Sequence, residues 1–211
     1  MDKILARQLS ALVNGVDPYI DPEELGQAIM PVVVGLFQNA QTVSHLSDAQ
    51  KNWYLERHQA GLLAYMMKCF ADARAIITVR FVEDQDFDCV IRAVIEGYAP
   101  IHKRIQLKQL ASHEQSKSLQ ALIDGLKSKY PTSSDLVVAI WINRDTNLEF
   151  ENLDFGGLKL EQLWFFGVSA LGDLTLEGGL VSDLVSGLRW TAIMYNDKRR
   201  EVRPVKFKPV F

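Results

Sequence analysis

The chain has few cysteines, since Cys69 and Cys89 are the only two among its 211 residues. They form no Cys-x-x-Cys pair, and their spacing to histidines does not resemble that of a zinc site. Both lie in apolar segments, where a cysteine behaves as a small buried hydrophobe. We therefore expect two buried free thiols, which fit a reducing compartment such as the cytoplasm.

The chain also lacks an excess of positive charge. Its 23 Lys and Arg residues stand against 26 Asp and Glu residues, which gives a formal net charge of −3. This balance argues against a strongly basic nucleic-acid binder. It leaves a nuclease open, because such an enzyme needs only a local positive patch.

Long hydrophobic runs are missing as well. The apolar stretch at residues 29–37 is shorter than the roughly 18 to 20 residues of a membrane span. The first fifteen residues mix charged and apolar side chains and lack the apolar region of a secretory signal. We expect a cytoplasmic protein without a membrane partner.

Motifs for phosphate loops and covalent catalysis are also absent. The sequence contains no GxGxxG and no GxxxxGK[ST], and the glycine pairs at 156–157 and 178–179 are typical of turns. No serine or cysteine motif accompanies His102 or His113, so nothing supports a covalent nucleophile. Each of these two histidines is either a solvated loop residue or a contact to phosphate.

What the chain does contain is an ordinary globular composition, with 48% hydrophobic and 23% charged residues. A chain of this length buries about 70% of the surface that its unfolded form exposes. Three helices are predicted before the first strand: residues 4–14, a helix from Asp21-Pro22 to about residue 39 with Pro31 as a kink or break, and a helix from Ser47-Asp48 to about residue 70.

The pattern then changes to strands. The predicted elements are strands at 75–82, 87–95 and 103–110, a helix at 114–130, strands at 136–142 and 160–168, a short helix at 177–190 and a strand at 191–195. A strand–helix–strand unit after a meander implies an α/β fold with a central sheet of mixed direction. We divide the chain into an N-terminal helical region (1–46), an α/β core (47–145) and a C-terminal α/β extension (146–211).

Three polar residues on the predicted second and third strands form a candidate site. Asp88 lies at the start of the second strand, and Gln106 and Lys108 share one face of the third because strand side chains alternate. A carboxylate, an amide oxygen and an ammonium group together suit a divalent cation and a phosphate. These residues predict metal-dependent cleavage of nucleic acid.

The element order and these residues resemble the PD-(D/E)XK nuclease superfamily, which has the restriction-endonuclease-like fold. Its core follows the order helix, strand, strand, strand, helix, strand, and the resemblance covers about residues 50–143. The motif is an aspartate on the second strand and an acid-x-lysine on the third. Phe87 stands where the family often has proline, and Gln106 replaces the acid.

The resemblance implies a nuclease that uses Mg²⁺ or Mn²⁺ to hydrolyse DNA, in host defence or on a mobile element, and that acts as a homodimer. Asp88 is then the carboxylate ligand, and Gln106 supplies a neutral carbonyl oxygen. Lys108 orients the attacking water or holds the phosphate as a point charge. Glu56 on the preceding helix or Asp86 supplies a further acid, while His102, Lys103 and Arg104 contact the nucleic acid.

Other interpretations stay open at this point. The pattern of residues 103–108 is also typical of an ordinary half-solvated strand, and Asp88 could equally cap a turn. A restriction-endonuclease-like protein without catalysis would act as a binding or regulatory subunit with a protein partner, which the missing second carboxylate favours. An unrelated α/β protein is the third interpretation. The basic tail from residue 198 is either a solvated segment or a track for a phosphate backbone.

Overall fold

The computed structural model describes residues 19–38, 41–71, 73–82, 86–111, 118–143, 153–169, 180–182, 189–196 and 201–204. The chain separates into two compact units, Met1–His102 and Lys103–Phe211. The predicted boundaries after residues 46 and 145 describe a different subdivision, which stays a prediction. The mixed α/β class predicted from the sequence is confirmed. The predicted helix at 4–14 lies outside the described residues.

Two α-helices of the first unit begin at the positions that their capping signals predict. Helix α1 spans Pro22–Phe37 and includes Pro31, and the Asp21 carboxylate accepts the amide N–H of Glu23 at 2.8 Å. Helix α2 spans Asp48–Phe70 behind a capping box, in which Ser47 and Gln50 bond each other's backbone N–H groups. A 3₁₀ turn, Gln41–Val43, lies between the two helices.

The two helices pack closely against each other. A Cβ atom at Gly61 of α2 would lie only 3.0 Å from a methyl carbon of Leu25 on α1, so glycine permits this approach. Near the same end of α1, Lys68 forms ion pairs with Asp21 at 3.1 Å and Glu23 at 2.8 Å. The last turn of α2 is therefore tied to the first turn of α1.

A β-hairpin completes the description of the first unit. Strands β1 (Ile76–Phe81) and β2 (Cys89–Val94) pair antiparallel, with Phe81 opposite Cys89. Ile20 bridges Val79 of β1 through two backbone hydrogen bonds of 2.8 and 2.9 Å. Fully buried apolar side chains form the core of this unit, among them Leu25, Ile29, Leu63, Met66 and Val79.

The second unit contains a mixed sheet. Its elements are β3 (Ile101–Ala111, which starts two residues before the unit boundary), α3 (Leu119–Lys129), β4 (Leu136–Asn143), β5 (Gln162–Ser169), β6 (Leu180–Ser182), β7 (Arg189–Asn196) and β8 (Glu201–Pro204). Strands β3, β4 and β5 are parallel neighbours, and β7 lies antiparallel to β5. The other edge of β7 pairs with β6 and β8.

The predicted helix at residues 177–190 is wrong for the described residues. Leu180–Ser182 and Arg189–Trp190 instead form a ladder between β6 and β7, in which Leu180 is opposite Thr191. The sequence pattern did not separate a short amphipathic helix from short strands, because the pairing partner decides between them. None of the helices in the described part of the chain is long and apolar enough to cross a membrane.

Candidate active site

Glu56 and Asp88 belong to elements that meet in the first unit. Glu56 lies on α2, and Asp88 directly precedes β2 at the loop end of the hairpin, where its carbonyl accepts the N–H of Val82 at 3.2 Å. Arg57, the next residue on α2, has its guanidinium carbon 4.7 Å from the ring centre of Phe81. This turn of α2 therefore packs at the end of the hairpin that carries Asp88.

The electrostatics of Glu56 reflect this arrangement. The residue is exposed, but neighbouring protein removes part of the water around its carboxylate, and this desolvation is the main cause that raises its pKa. The negative charge of Asp88 raises the pKa of Glu56 further, whereas Arg57 lowers it. The two carboxylates thus interact through space and raise the free energy of their doubly ionised state.

Cys89 is a buried free thiol, as predicted. Burial raises its pKa strongly, the charge of Asp88 raises it further, and Arg57 counteracts the two. Because the thiolate is the reactive form, Cys89 is unsuited to nucleophilic catalysis. The side chain of Cys69 lies outside the described part of the chain.

Gln106 is 5% exposed and lies inside the second unit. Its Oε1 accepts a hydrogen bond of 2.9 Å from the hydroxyl of Tyr130, and its Nε2 donates to the carbonyl of Leu107 at 3.4 Å. Tyr130 is the C-cap of α3 and is itself buried. The amide oxygen of Gln106, which was predicted as a metal ligand, therefore accepts the hydrogen bond of the buried Tyr130 hydroxyl.

Lys108 lies two residues further along β3 and is half-buried. In the parallel ladder Gln106 is opposite Val138 and Lys108 is opposite Ile140, so the two residues share a face of β3 as predicted.

The residues predicted to contact nucleic acid have other interactions. Lys103 forms an ion pair with Glu161, and Arg104 forms one with Asp135. The ring centres of His102 and Tyr19 lie 6.0 Å apart. Their contact with nucleic acid stays a prediction.

Further candidates from the sequence are not all within the described residues. Asp86 is exposed in the turn before β2. His113 lies outside the described residues, as does the basic tail apart from β8. Across the described ranges, no group of three or more His, Cys, Asp or Glu side chains is placed to hold a metal ion.

By donor chemistry, two carboxylates would suit a hard divalent cation. Mg²⁺ prefers oxygen ligands, usually keeps several waters and binds proteins through one or two carboxylates. Glu56 and Asp88 provide that donor set, with Glu56 exposed and Asp88 half-buried. The donor chemistry of this corner is therefore compatible with Mg²⁺ or Mn²⁺.

Sequence reasoning missed one residue in each unit, Arg57 in the first and Tyr130 in the second. A signal for Arg57 was present, because Trp53 stands four residues before it and residues at that spacing are neighbours on a helix. Tyr130 was predicted only as part of the apolar stripe of α3. Its hydrogen bond to Gln106 joins residues that are distant in sequence and required the tertiary structure.

No protein-family model, no curated protein and no solved structure matches the chain.

Proposed function

We propose that this protein is a divalent-metal-dependent nuclease that hydrolyses DNA phosphodiester bonds in the cytoplasm. The observation that carries the proposal is the pair of interacting carboxylates, Glu56 and Asp88, at the meeting of α2 and the β1–β2 hairpin. A bound Mg²⁺ or Mn²⁺ would polarise a phosphate and lower the pKa of a coordinated water. A homodimer and a role in defence or on a mobile element follow only from the resemblance.

In this proposal Asp88 and Glu56 hold the cation. Mutual repulsion of the carboxylates supports this role, because a cation would relieve the repulsion that, after desolvation, raises the pKa of Glu56. Gln106 and Lys108 belong to the proposed site through the sequence motif alone. Lys108 is assigned to the water or the phosphate, since an ammonium group is a compact donor of positive charge.

The test combines Mn²⁺ titration calorimetry with cleavage of a labelled DNA duplex in Mg²⁺. We expect Asp88→Asn to weaken Mn²⁺ binding by about 10- to 100-fold or more, since a ligand matters at least as much as its supporting residues. Cleavage should fall in parallel. Glu96→Gln, which removes a carboxylate from an exposed turn, should change neither quantity.

An anomalous signal beside Asp88 in Mn²⁺-soaked crystals would locate the ion. Saturable Mn²⁺ binding that survives unchanged in Asp88→Asn would refute the assignment of this residue. Wild-type protein that neither binds Mn²⁺ nor cuts DNA would refute the nuclease proposal as a whole.

A second candidate function is a restriction-endonuclease-like binding or regulatory protein without catalysis. The hydrogen bond from Tyr130 to Gln106 favours it, because this position carries a neutral amide with a structural partner in place of the second motif carboxylate. This candidate is supported if the wild-type protein neither binds the cation nor cleaves DNA and captures a protein partner.

A further inference from the structure

Arg57 is held between two aromatic rings. Its guanidinium carbon lies 3.8 Å from the ring centre of Trp53 and 4.7 Å from that of Phe81. One terminal nitrogen also donates to the carbonyl of Trp53 at 3.4 Å. Stacking of this kind attracts a guanidinium through the negative faces of the rings and restricts its rotamers.

The clamped guanidinium lies beside the acidic pair. Phe81 is opposite Cys89 in the β1–β2 ladder, and the next residue, Val82, bonds the backbone of Asp88. Arg57 follows Glu56 on α2. Its positive charge also acts on its surroundings, since it lowers the pKa of both Glu56 and Cys89. One cation and two carboxylates therefore share this corner of the first unit.

The two carboxylates of this corner disfavour the binding of an anionic substrate. Two carboxylates repel a phosphodiester, and a divalent cation bound to them offsets that repulsion. A bound divalent cation would reduce the demand of the carboxylates on the positive charge of Arg57. The guanidinium has a rigid position, and it carries five N–H donors, so it can bond a phosphate oxygen besides the carbonyl of Trp53.

We propose that Arg57 is the phosphate-binding residue of this corner, where its clamped guanidinium receives the non-bridging oxygens of a nucleic-acid phosphodiester beside Glu56 and Asp88. The inference rests on the proposed nuclease function and adds a residue that the sequence motif does not contain. Trp53 and Phe81 act as positioning residues, because they fix the guanidinium and do not themselves contact the phosphate.

The experiment measures binding of a fluorescein-labelled DNA duplex by anisotropy, in EDTA and in Mn²⁺, for wild type, Arg57→Gln, Arg57→Lys and a matched control. The control is Arg92→Gln: Arg92 stacks on Tyr19 at 3.9 Å and bonds Thr78, but lies four residues along β2 from Asp88, about 13 Å at the rise of a strand. Thermal melts monitored by circular dichroism establish that each variant is folded.

We expect Arg57→Gln to weaken duplex binding by about 10-fold or more in Mn²⁺, since bonds to charged groups are stronger than neutral ones, and by less in EDTA, where the carboxylates repel the duplex. Arg57→Lys keeps the positive charge but loses the planar guanidinium, so its affinity for the duplex should lie between those of wild type and Arg57→Gln. Arg92→Gln should stay within about twofold of wild type, because its charge is remote from the acidic pair. Should Arg57→Gln fail to fold, Arg57→Lys and the control decide the outcome.

Mn²⁺ calorimetry separates a phosphate-binding role from a merely structural one. Removal of a positive charge beside two carboxylates should leave Mn²⁺ affinity unchanged or raise it, whereas a collapsed site would lose it. Duplex binding by Arg57→Gln equal to that of wild type, an equal loss in Arg92→Gln, or no duplex binding by wild type would overturn the inference. An Arg57-dependent duplex complex in a protein that does not cut DNA would refute the nuclease proposal and leave the phosphate site standing.

Discussion

Glu56 is the residue whose ionisation reports most directly on the acidic pair. Desolvation and the charge of Asp88 raise its pKa in the folded protein above the ordinary value of 4.5. The folded state therefore binds the proton of Glu56 more tightly than the unfolded chain does. By linkage, the contribution of Glu56 to stability is most favourable at acidic pH and declines as the pH rises through 4.5 toward the raised pKa.

The substitution Glu56→Gln should consequently raise the melting temperature at pH 7, where the wild-type carboxylate is ionised beside Asp88. Below about pH 4 the wild-type side chain is protonated in both states, so the advantage of the variant should disappear. The measurement is a series of thermal melts between pH 3.5 and 7.5 in a metal chelator. Equal benefit at all pH values would contradict the raised pKa of Glu56, and Glu96→Gln controls for the loss of net charge.

At the scale of elements, α3 holds the segment that leads into β5. The carboxamide of Gln120 accepts the N–H of Asp154 at 2.8 Å and donates to its carbonyl at 3.1 Å. The Asp154 carboxylate pairs with Lys127 at 2.9 Å and accepts the N–H of Gly156 at 2.8 Å. Lys127 lowers the pKa of both Asp124 and Asp154. The two hydrogen bonds between the Gln120 carboxamide and the backbone of Asp154 make this attachment specific.

Truncation of this amide should detach the segment locally. We expect Gln120→Ala to destabilise the protein by about 1 kcal/mol, the net value of an ordinary hydrogen bond or two near the surface. The amide of Asp154 should exchange with solvent hydrogen at least several-fold faster. Hydrogen-exchange mass spectrometry tests this, with Ser128→Ala as the control on the same helix, since the hydroxyl of Ser128 bonds the carbonyl of Asp124 within α3. Unchanged exchange at Asp154 would contradict the attachment.

At the scale of the whole molecule, each unit has its own apolar core. In the second unit β4 lies between β3 and β5, and residues from Val137 to Ile140 are fully buried. This burial explains the continuous apolar run that predicted the strand, since a central parallel strand is covered on both faces. In the first unit the core lies between α1, α2 and the hairpin.

Removal of a buried side chain from β4 should therefore be costly. We expect Ile140→Ala to lower the free energy of unfolding by about 2–5 kcal/mol, through lost burial and the cavity left behind. Urea unfolding followed by the fluorescence of Trp141 and Trp164, both buried in the second unit, measures the change. Ile76→Ala, at a position that is 61% exposed, should cost far less. A comparable loss for the two variants would contradict the assigned core.

The amino-acid sequence by itself determined the local features of this protein. Asp21-Pro22 and Ser47-x-x-Gln50 start helices because their side chains satisfy nearby backbone N–H groups, and β4 follows from an uninterrupted apolar run. Such signals act within a few residues and can be read from the chain. The weak pattern at residues 177–190 gave a helix where strands occur, because a partner strand supplied the hydrogen bonds.

Only the tertiary structure decided which side chains meet. The approach of Glu56 to Asp88, the contact of Phe81 with Arg57, and the hydrogen bond from Tyr130 to Gln106 join residues on separate elements. The sequence permits many such pairs, because the hydrophobic effect is non-directional and does not specify which side chains meet. The packing of helices on strands selects the pairs that form. These contacts determine the positions of the charged, amide and aromatic side chains, and the proposed chemistry depends on those positions.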